Sequence, residues 1–366
     1  MAHASRRKHL TKGPDVLQRK LRVREREKRV NAIKSLRYKS CCVICSDSPK
    51  NGNASIGNVE RIGAGCTGPV EHRTVLVRVS GREANGKHFM FVILTKGYEE
   101  LSRRSAAIVS AAIRKRPDLR MGLATGTTPL GTYRELARMH REEGLDFSRV
   151  ITFNLDEYLG LAADHPQSAH TFMQSSFFDH VNVAPKNIHI PDGSAHGDLD
   201  EYCAKYEAAI QRAGGIDLQI LGIGRNGHIG FNEPSSSLAS RTRIKTLTHS
   251  TIEDNRRLFQ EGQSMPEAAI TMGIGTILDA RKILLLASGT GKARALARAI
   301  EGPITASVTA SALQLHRDVT ILADEAAAAE LSEREYYRRD FEMDSRLRRA
   351  AKSFGHLDRH DKARKP

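Results

Sequence analysis

From Phe89 onward the chain alternates short apolar runs with longer amphipathic stretches, and this alternation restricts the fold more than any other feature. Residues 89–95 form a short apolar run suited to a buried strand. Residues 98–116 follow with Leu101, Ala106, Ile108, Val109, Ala112 and Ile113 at helical spacing. Further strands are expected over 119–124, 150–154, 217–222, 269–273, 283–287 and 319–323. Helices are expected over 129–143, 167–180, 199–213, 293–300 and 326–336. Strands separated by helices of this length predict right-handed βαβ units. The expected fold is therefore α/β, a mostly parallel sheet flanked by helices. Ligands of such sheets bind beyond the carboxyl ends of the strands, so the chemistry is sought there.

Composition matters because of where the charge lies. The 366 residues carry a formal net charge of +15, which suggests a nucleic-acid partner. Yet residues 1–88 hold 20 Lys and Arg against 7 Asp and Glu, and 340–366 hold 8 against 5, so the stretch 89–339 is close to neutral. Three regions are expected: a basic, disordered extension over 1–88, an α/β domain over 89–339 and a basic tail over 340–366. The extension has no wide apolar face, aromatic interleaving or secretory core. A sharper reading starts the functional chain at Met90. Cys42 and Cys45 form half of a zinc pattern, with Cys66 and either His72 or Cys41 as further donors. No second close pair exists, so no metal site is expected. Five cysteines are too few for a disulfide scaffold. No run approaches the roughly 18 apolar residues of a membrane span.

Each expected strand ends in a polar cluster. Thr125-Gly126-Thr127-Thr128-Pro129 follows the second strand and opens a helix, where backbone amides can hold a phosphate; an ordinary tight turn is the plainer reading. Asp156 and Glu157 follow the third strand. Adjacent residues of an extended chain face opposite ways, so one of the two can face a given pocket; an acidic helix cap is the alternative. The loop Gly222–Pro234 brings His228 and Glu233 together, a pair suited to proton transfer. Lys292 sits in a second glycine-rich turn, and Arg257 lies on a short expected helix; both suit a phosphate.

These segments resemble the glucosamine-6-phosphate deaminases. The matching motifs are LATGTTPLGTY (123–133), ITFNLDEYLGL (151–161), GIGRNGHIGFNEP (222–234), SSLASRTRIKTLTH (236–249) and LASGTGKARAL (286–296). The resemblance implies a Rossmann-like α/β domain with a mobile lid segment carrying Arg257, and no metal or cofactor. It implies the conversion of glucosamine 6-phosphate and water to fructose 6-phosphate and ammonia, in the cytoplasm. Asp156 then stands where the family has its proton-transferring base, and His228 where a group assists ring opening. Glu233 orients His228. Asn226 takes a position that is often Asp; an amide cannot relay a proton, but it can hydrogen-bond His228 or a substrate hydroxyl. Thr125, Gly126, Thr127, Thr128, Arg257 and Lys292 match the substrate-phosphate site. Ser236, Arg243, Lys245 and Thr246 match an activator site for N-acetylglucosamine 6-phosphate in oligomeric members, hexamers among them, with Tyr336 or Tyr337 as its aromatic partner. A sugar-phosphate lactonase of the same superfamily is the alternative enzyme, and a basic-tail nucleic-acid binder the alternative class.

Overall fold

A computed structural model describes residues 90–259 and 263–344. The basic extension with its cysteines, and most of the basic tail, lie outside the described residues.

Strands β1 (Met90–Thr95), β2 (Arg120–Leu123) and β3 (Ile151–Asn154) alternate with helices α1 (Tyr98–Lys115) and α2 (Thr127–Glu143). After β4 (Asp156–Tyr158) come α3 (Ala169–Ser176), β5 (Ile188–His189), α4 (Leu199–Arg212) and β6 (Leu218–Leu221). Next are β7 (Arg243–Thr246), α5 (His249–Arg256), β8 (Ala268–Thr271) and α6 (Ile274–Leu278). The last named elements are β9 (Ile283–Ala287), α7 (Ala293–Ile300) and β10 (Val319–Asp324).

Seven strands form one sheet in the order β1-β10-β9-β6-β2-β3-β5, and every pairing in it is parallel. Strand alternation sends neighbouring residues to opposite faces. Val92, Leu285 and Ile321 join one apolar cluster, while Ile93, Leu284, Leu286 and Leu322 join the other. Both faces are thus covered, as a parallel sheet requires.

Chain order explains where a cleft must open. From β2 the chain runs outward through β3 to β5, then returns through β6, β9 and β10 on the other side. The loops after β2 and β6 therefore leave the sheet in opposite directions, and a crevice forms between them.

Two departures from the sequence reading concern single elements. Residues 268–271 do not join the parallel sheet. They form the middle of a separate antiparallel sheet, order β4-β8-β7, with Asp156 opposite Thr271 and Thr271 opposite Arg243. Residues 325–330 form turns rather than a helix, and the last helix spans 334–344. The Glu301 carboxylate sets its start by accepting from the Ser332 and Glu333 amides at 2.9 and 3.0 Å. Phe341, on that helix, packs on Phe91.

Candidate active site

A cleft of about 650 Å³ opens at the crevice between the β2 and β6 loops, a size suited to a small metabolite. Its walls bring together Thr125–Thr128, Asp156, His228, Arg257 and Lys292, which lie far apart in sequence.

The β2 turn supplies an anion seat. Gly126 is the N-cap of α2 with φ +101°; it has no capping side chain, and the first helical turn holds no acid. Nothing there competes with an incoming anion for the positive end of the helix. The second glycine turn differs. The Gly289 amide already donates to the Asp324 carboxylate at 3.1 Å, and the Ser288 hydroxyl donates to it as well. That turn contributes the Lys292 side chain rather than its amides. Burial lowers the Lys292 ammonium pKa; Asp254 pulls the other way, and the Arg225 and Arg257 charges add to the lowering. Three cations thus converge on one end of the cleft.

Asp156 heads β4 and is nearly buried, 8% exposed. Burial, then the neighbouring Glu157 carboxylate, pushes its pKa up to about 7, and no hydrogen bond from the described residues offsets them. Asp156 and Glu157 both line the cleft, so alternation does not confine the pocket to one of them; their bonding is what separates them. Both Glu157 oxygens are engaged: one accepts from the Tyr158 amide at 2.7 Å, the other from Ser168 Oγ at 2.6 Å and the Ala169 amide at 2.9 Å. Glu157 fixes the start of α3, and Asp156 keeps its carboxylate free. The acidic helix-cap reading fails for Asp156, which is a strand residue. Beside it, Gly230 has φ +55°, and a Cβ there would lie 2.9 Å from Thr271 Oγ1 and 3.5 Å from Asp156 Oδ2.

The β6 loop brings His228 to the cleft. His228 Nδ1 lies 3.4 Å from Glu233 Oε2, an ion-pair distance too loose for a good hydrogen bond. Glu233 is wholly buried behind the imidazole. Burial raises its pKa, but interactions with His228, Thr251 and Asn226 outweigh that and hold it at about 2. Asn226 Nδ2 donates to Glu233 Oε2 at 2.8 Å, and Asn226 Oδ1 accepts from the His228 amide at 3.1 Å. Asn226 therefore bonds the His228 backbone rather than its ring, and it steadies the carboxylate behind the imidazole.

Ser236, Arg243, Lys245 and Thr246 do not line the cleft. The last three occupy β7, an edge strand, and Ser236 lies in the preceding loop. Arg243 donates to Asn232 Oδ1 at 2.9 Å. Tyr337 Oη donates to Glu301 at 3.2 Å, and Tyr336 is exposed.

Several residues of the site were not singled out from sequence. Arg225 lines the cleft and pairs with Asp254 of α5 at 2.6 Å. Thr251 reaches Glu233. Arg225 lies in a motif that was recognised, but its partner is 29 residues away, and no local pattern links the two. Among the described residues, no cluster of three or more His, Cys, Asp or Glu could hold a metal. None of the described helices is long and apolar enough to cross a membrane.

A parallel α/β sheet whose crevice sets an anion seat and cations around a free, buried carboxylate defines an enzyme of phosphorylated small molecules. The chain belongs to the glucosamine-6-phosphate isomerase/6-phosphogluconolactonase family, whose model matches residues 95–322. Within it, the chain is 54% identical over 240 residues to the glucosamine-6-phosphate deaminase of Thermoanaerobacter sp. strain X514, covering 66% of this chain and 94% of that one. It is 50% identical over 265 residues to the Shewanella woodyi glucosamine-6-phosphate deaminase, covering 72% of this chain and 100% of that one. Among solved structures, a monomeric glucosamine-6-phosphate deaminase aligns with a TM-score of 0.64 and 48% identity, over 66% of this chain and 100% of that one. The 6-phosphogluconolactonase of Thermotoga maritima shares the fold, with a TM-score of 0.51 and 19% identity over 64% of this chain and 99% of that one.

Proposed function

We propose that this chain is a glucosamine-6-phosphate deaminase, converting glucosamine 6-phosphate and water to fructose 6-phosphate and ammonia. The observation that carries the reading is Asp156: a buried carboxylate without hydrogen bonds, poised near neutrality in a cleft that also holds an anion seat.

The phosphate rests on the amides of the Thr125–Thr128 turn, with Arg257 and Lys292 as counter-charges. His228 moves a proton between the anomeric hydroxyl and the ring oxygen, which opens the sugar. Glu233, ionised throughout, steadies the imidazole while it carries that proton. Asp156 then takes the C2 proton, leaving an enol with electron density spread over C1 and C2, and returns the proton to C1. Carbon 2 becomes an imine. Water adds there, the carbon–nitrogen bond breaks, and ammonia leaves behind a C2 ketone. The net change is thus isomerisation coupled to hydrolytic deamination, with each proton transfer assigned to a side chain. A doubly charged sugar phosphate does not cross membranes, which fits a cytoplasmic enzyme.

The same reading gives Ser236, Arg243, Lys245 and Thr246 to a second phosphate site, taking N-acetylglucosamine 6-phosphate in a homo-oligomer. Two basic side chains on an edge strand support it. It also makes the segment carrying Arg257 a lid, and 89–339 the catalytic domain.

Ammonia release from glucosamine 6-phosphate, with and without the acetylated analogue, tests the reading. Turnover is expected with the first compound alone, and the analogue is expected to raise it at low substrate concentration. Hydrolysis of 6-phosphogluconolactone with no ammonia from the amino sugar would replace the deaminase by a lactonase.

A further inference from the structure

The anion seat depends on a side chain from a different helix. Tyr98, the first residue of α1, reaches into the first turn of α2. Its hydroxyl donates to the Thr127 carbonyl at 2.8 Å and accepts from the Gly131 amide at 2.7 Å. Thr127 and Gly131 are the pair that an α-helix joins directly, carbonyl to amide four residues on. The phenol is therefore inserted between α1 and α2 and bridges both groups of that rung of the helix whose N-terminus faces the cleft.

The neighbouring residues are fitted to this insertion. Gly131 is buried, and a Cβ there would overlap Ser102 Oγ and come within 2.9 Å of the Tyr98 hydroxyl. One turn on, Ser105 Oγ meets Thr132 Oγ1 at 2.5 Å, so small and hydroxylated residues hold α1 close against α2. Leu101, Ala106, Val109 and Ile113 on the same helix anchor it in the core. Tyr98 is thereby carried on a rigid support, and its two bonds set the pitch of the turn containing Thr127 and Thr128.

We infer that Tyr98 is a positioning residue for the substrate phosphate: its hydroxyl braces the first turn of α2 from both sides of one rung, so that the amides of that turn stay aimed at the anion. This rests on the proposed function, in which the Thr125–Thr128 turn binds the phosphate. Without the hydroxyl, the Thr127 carbonyl and the Gly131 amide lose their tie to α1, the turn loosens, and its amides no longer hold one orientation toward the anion. Interactions made equally with substrate and transition state change KM and leave kcat alone. A merely structural role would instead lower the active fraction, reducing apparent kcat at constant KM.

The test is Tyr98→Phe in the full chain, with steady-state kinetics on glucosamine 6-phosphate and competitive inhibition by inorganic phosphate. The expected result is a rise of about tenfold in both KM and the phosphate inhibition constant, with kcat within about twofold of wild type. Gly131→Ala, which pushes on the same hydroxyl, is expected to move both constants in the same direction. Thermal melting of each variant checks that it is folded. Unchanged KM and phosphate inhibition in folded Tyr98→Phe would overturn the inference while leaving the functional reading intact. A wild-type protein that neither releases ammonia nor is inhibited by phosphate would overturn both.

Discussion

As the proposed base, Asp156 meets two demands that normally conflict. A base must be ionised to act, yet burial disfavours the ionised form. Its pKa near 7 is the compromise, and it works near neutral pH. The pH dependence follows with a definite sign. On the free enzyme, kcat/KM should rise with pH through about 7 as Asp156 loses its proton. A profile that is flat from about pH 5.5 to 8 would remove Asp156 as the base. The same burial destabilises the fold. Because the folded pKa lies above the unfolded value of 3.8, the penalty is absent at low pH, grows as pH rises from there, and is complete above about 7. Asp156→Asn should therefore lose C2 proton exchange and yet melt higher than wild type at pH 8, by about 2–4 kcal/mol, with the gain vanishing toward about pH 4. Deuterium exchange at C2 and paired melting curves would show both effects. The acids in DEY and the His and Glu of the β6 loop were legible in the sequence because they end strands. The division of labour between Asp156 and Glu157 was only half legible. Alternation says that the two differ, but the hydrogen bonds from Ser168 and Ala169 decide which one is spent on structure.

At the level of elements, the parallel strands other than β5 were readable because buried on both faces they show as continuous apolar runs, whereas β5 is only two residues long and half-buried. The antiparallel sheet was not readable. Its strands β4 and β7 are three and four residues long and rich in charge, so neither periodicity nor hydrophobicity marks them. What fixes that sheet lies elsewhere in the sequence. Glu207 on α4 accepts from the Thr242 amide at 2.8 Å, from Thr242 Oγ1 and Arg241 Nη2 at 2.6 Å each, and from Thr276 Oγ1. The entry to β7 and the start of α6 are thereby tied to one buried carboxylate. Burial raises the Glu207 pKa, but these bonds outweigh it and lower it overall, so its contribution is present above about pH 4.5 and fades in acid. Glu207→Gln places amide protons against donors that need an acceptor. It should cost about 2–3 kcal/mol in urea denaturation. A cost below about 0.5 kcal/mol would show that β7 is held by its pairing with β8 alone.

For the whole molecule, charge bookkeeping separated the chain into unlike parts more readily than it could assign them a role. The family model matches residues 95–322, and the described residues supply the cleft and the seven-stranded sheet. A chain beginning at Met90 is expected to fold and to release ammonia from glucosamine 6-phosphate at the rate of the full chain. A truncated protein that is insoluble or tenfold slower would give residues 1–89 a part in the fold or the reaction. The sheet also ties the two ends of this region together. Among the described residues, strand β1 lies at the edge and pairs with β10 alone, with Met90 opposite Val319 and Thr95 opposite Asp324. Asp324, at the end of that last strand, is the group that holds the Ser288–Gly289 turn ahead of Lys292. On the ribosome, then, β1 must wait for β10 until more than two hundred further residues have been made. Pairing of these two strands, and with it the Asp324 hold on the turn before Lys292, is thus among the late events of synthesis.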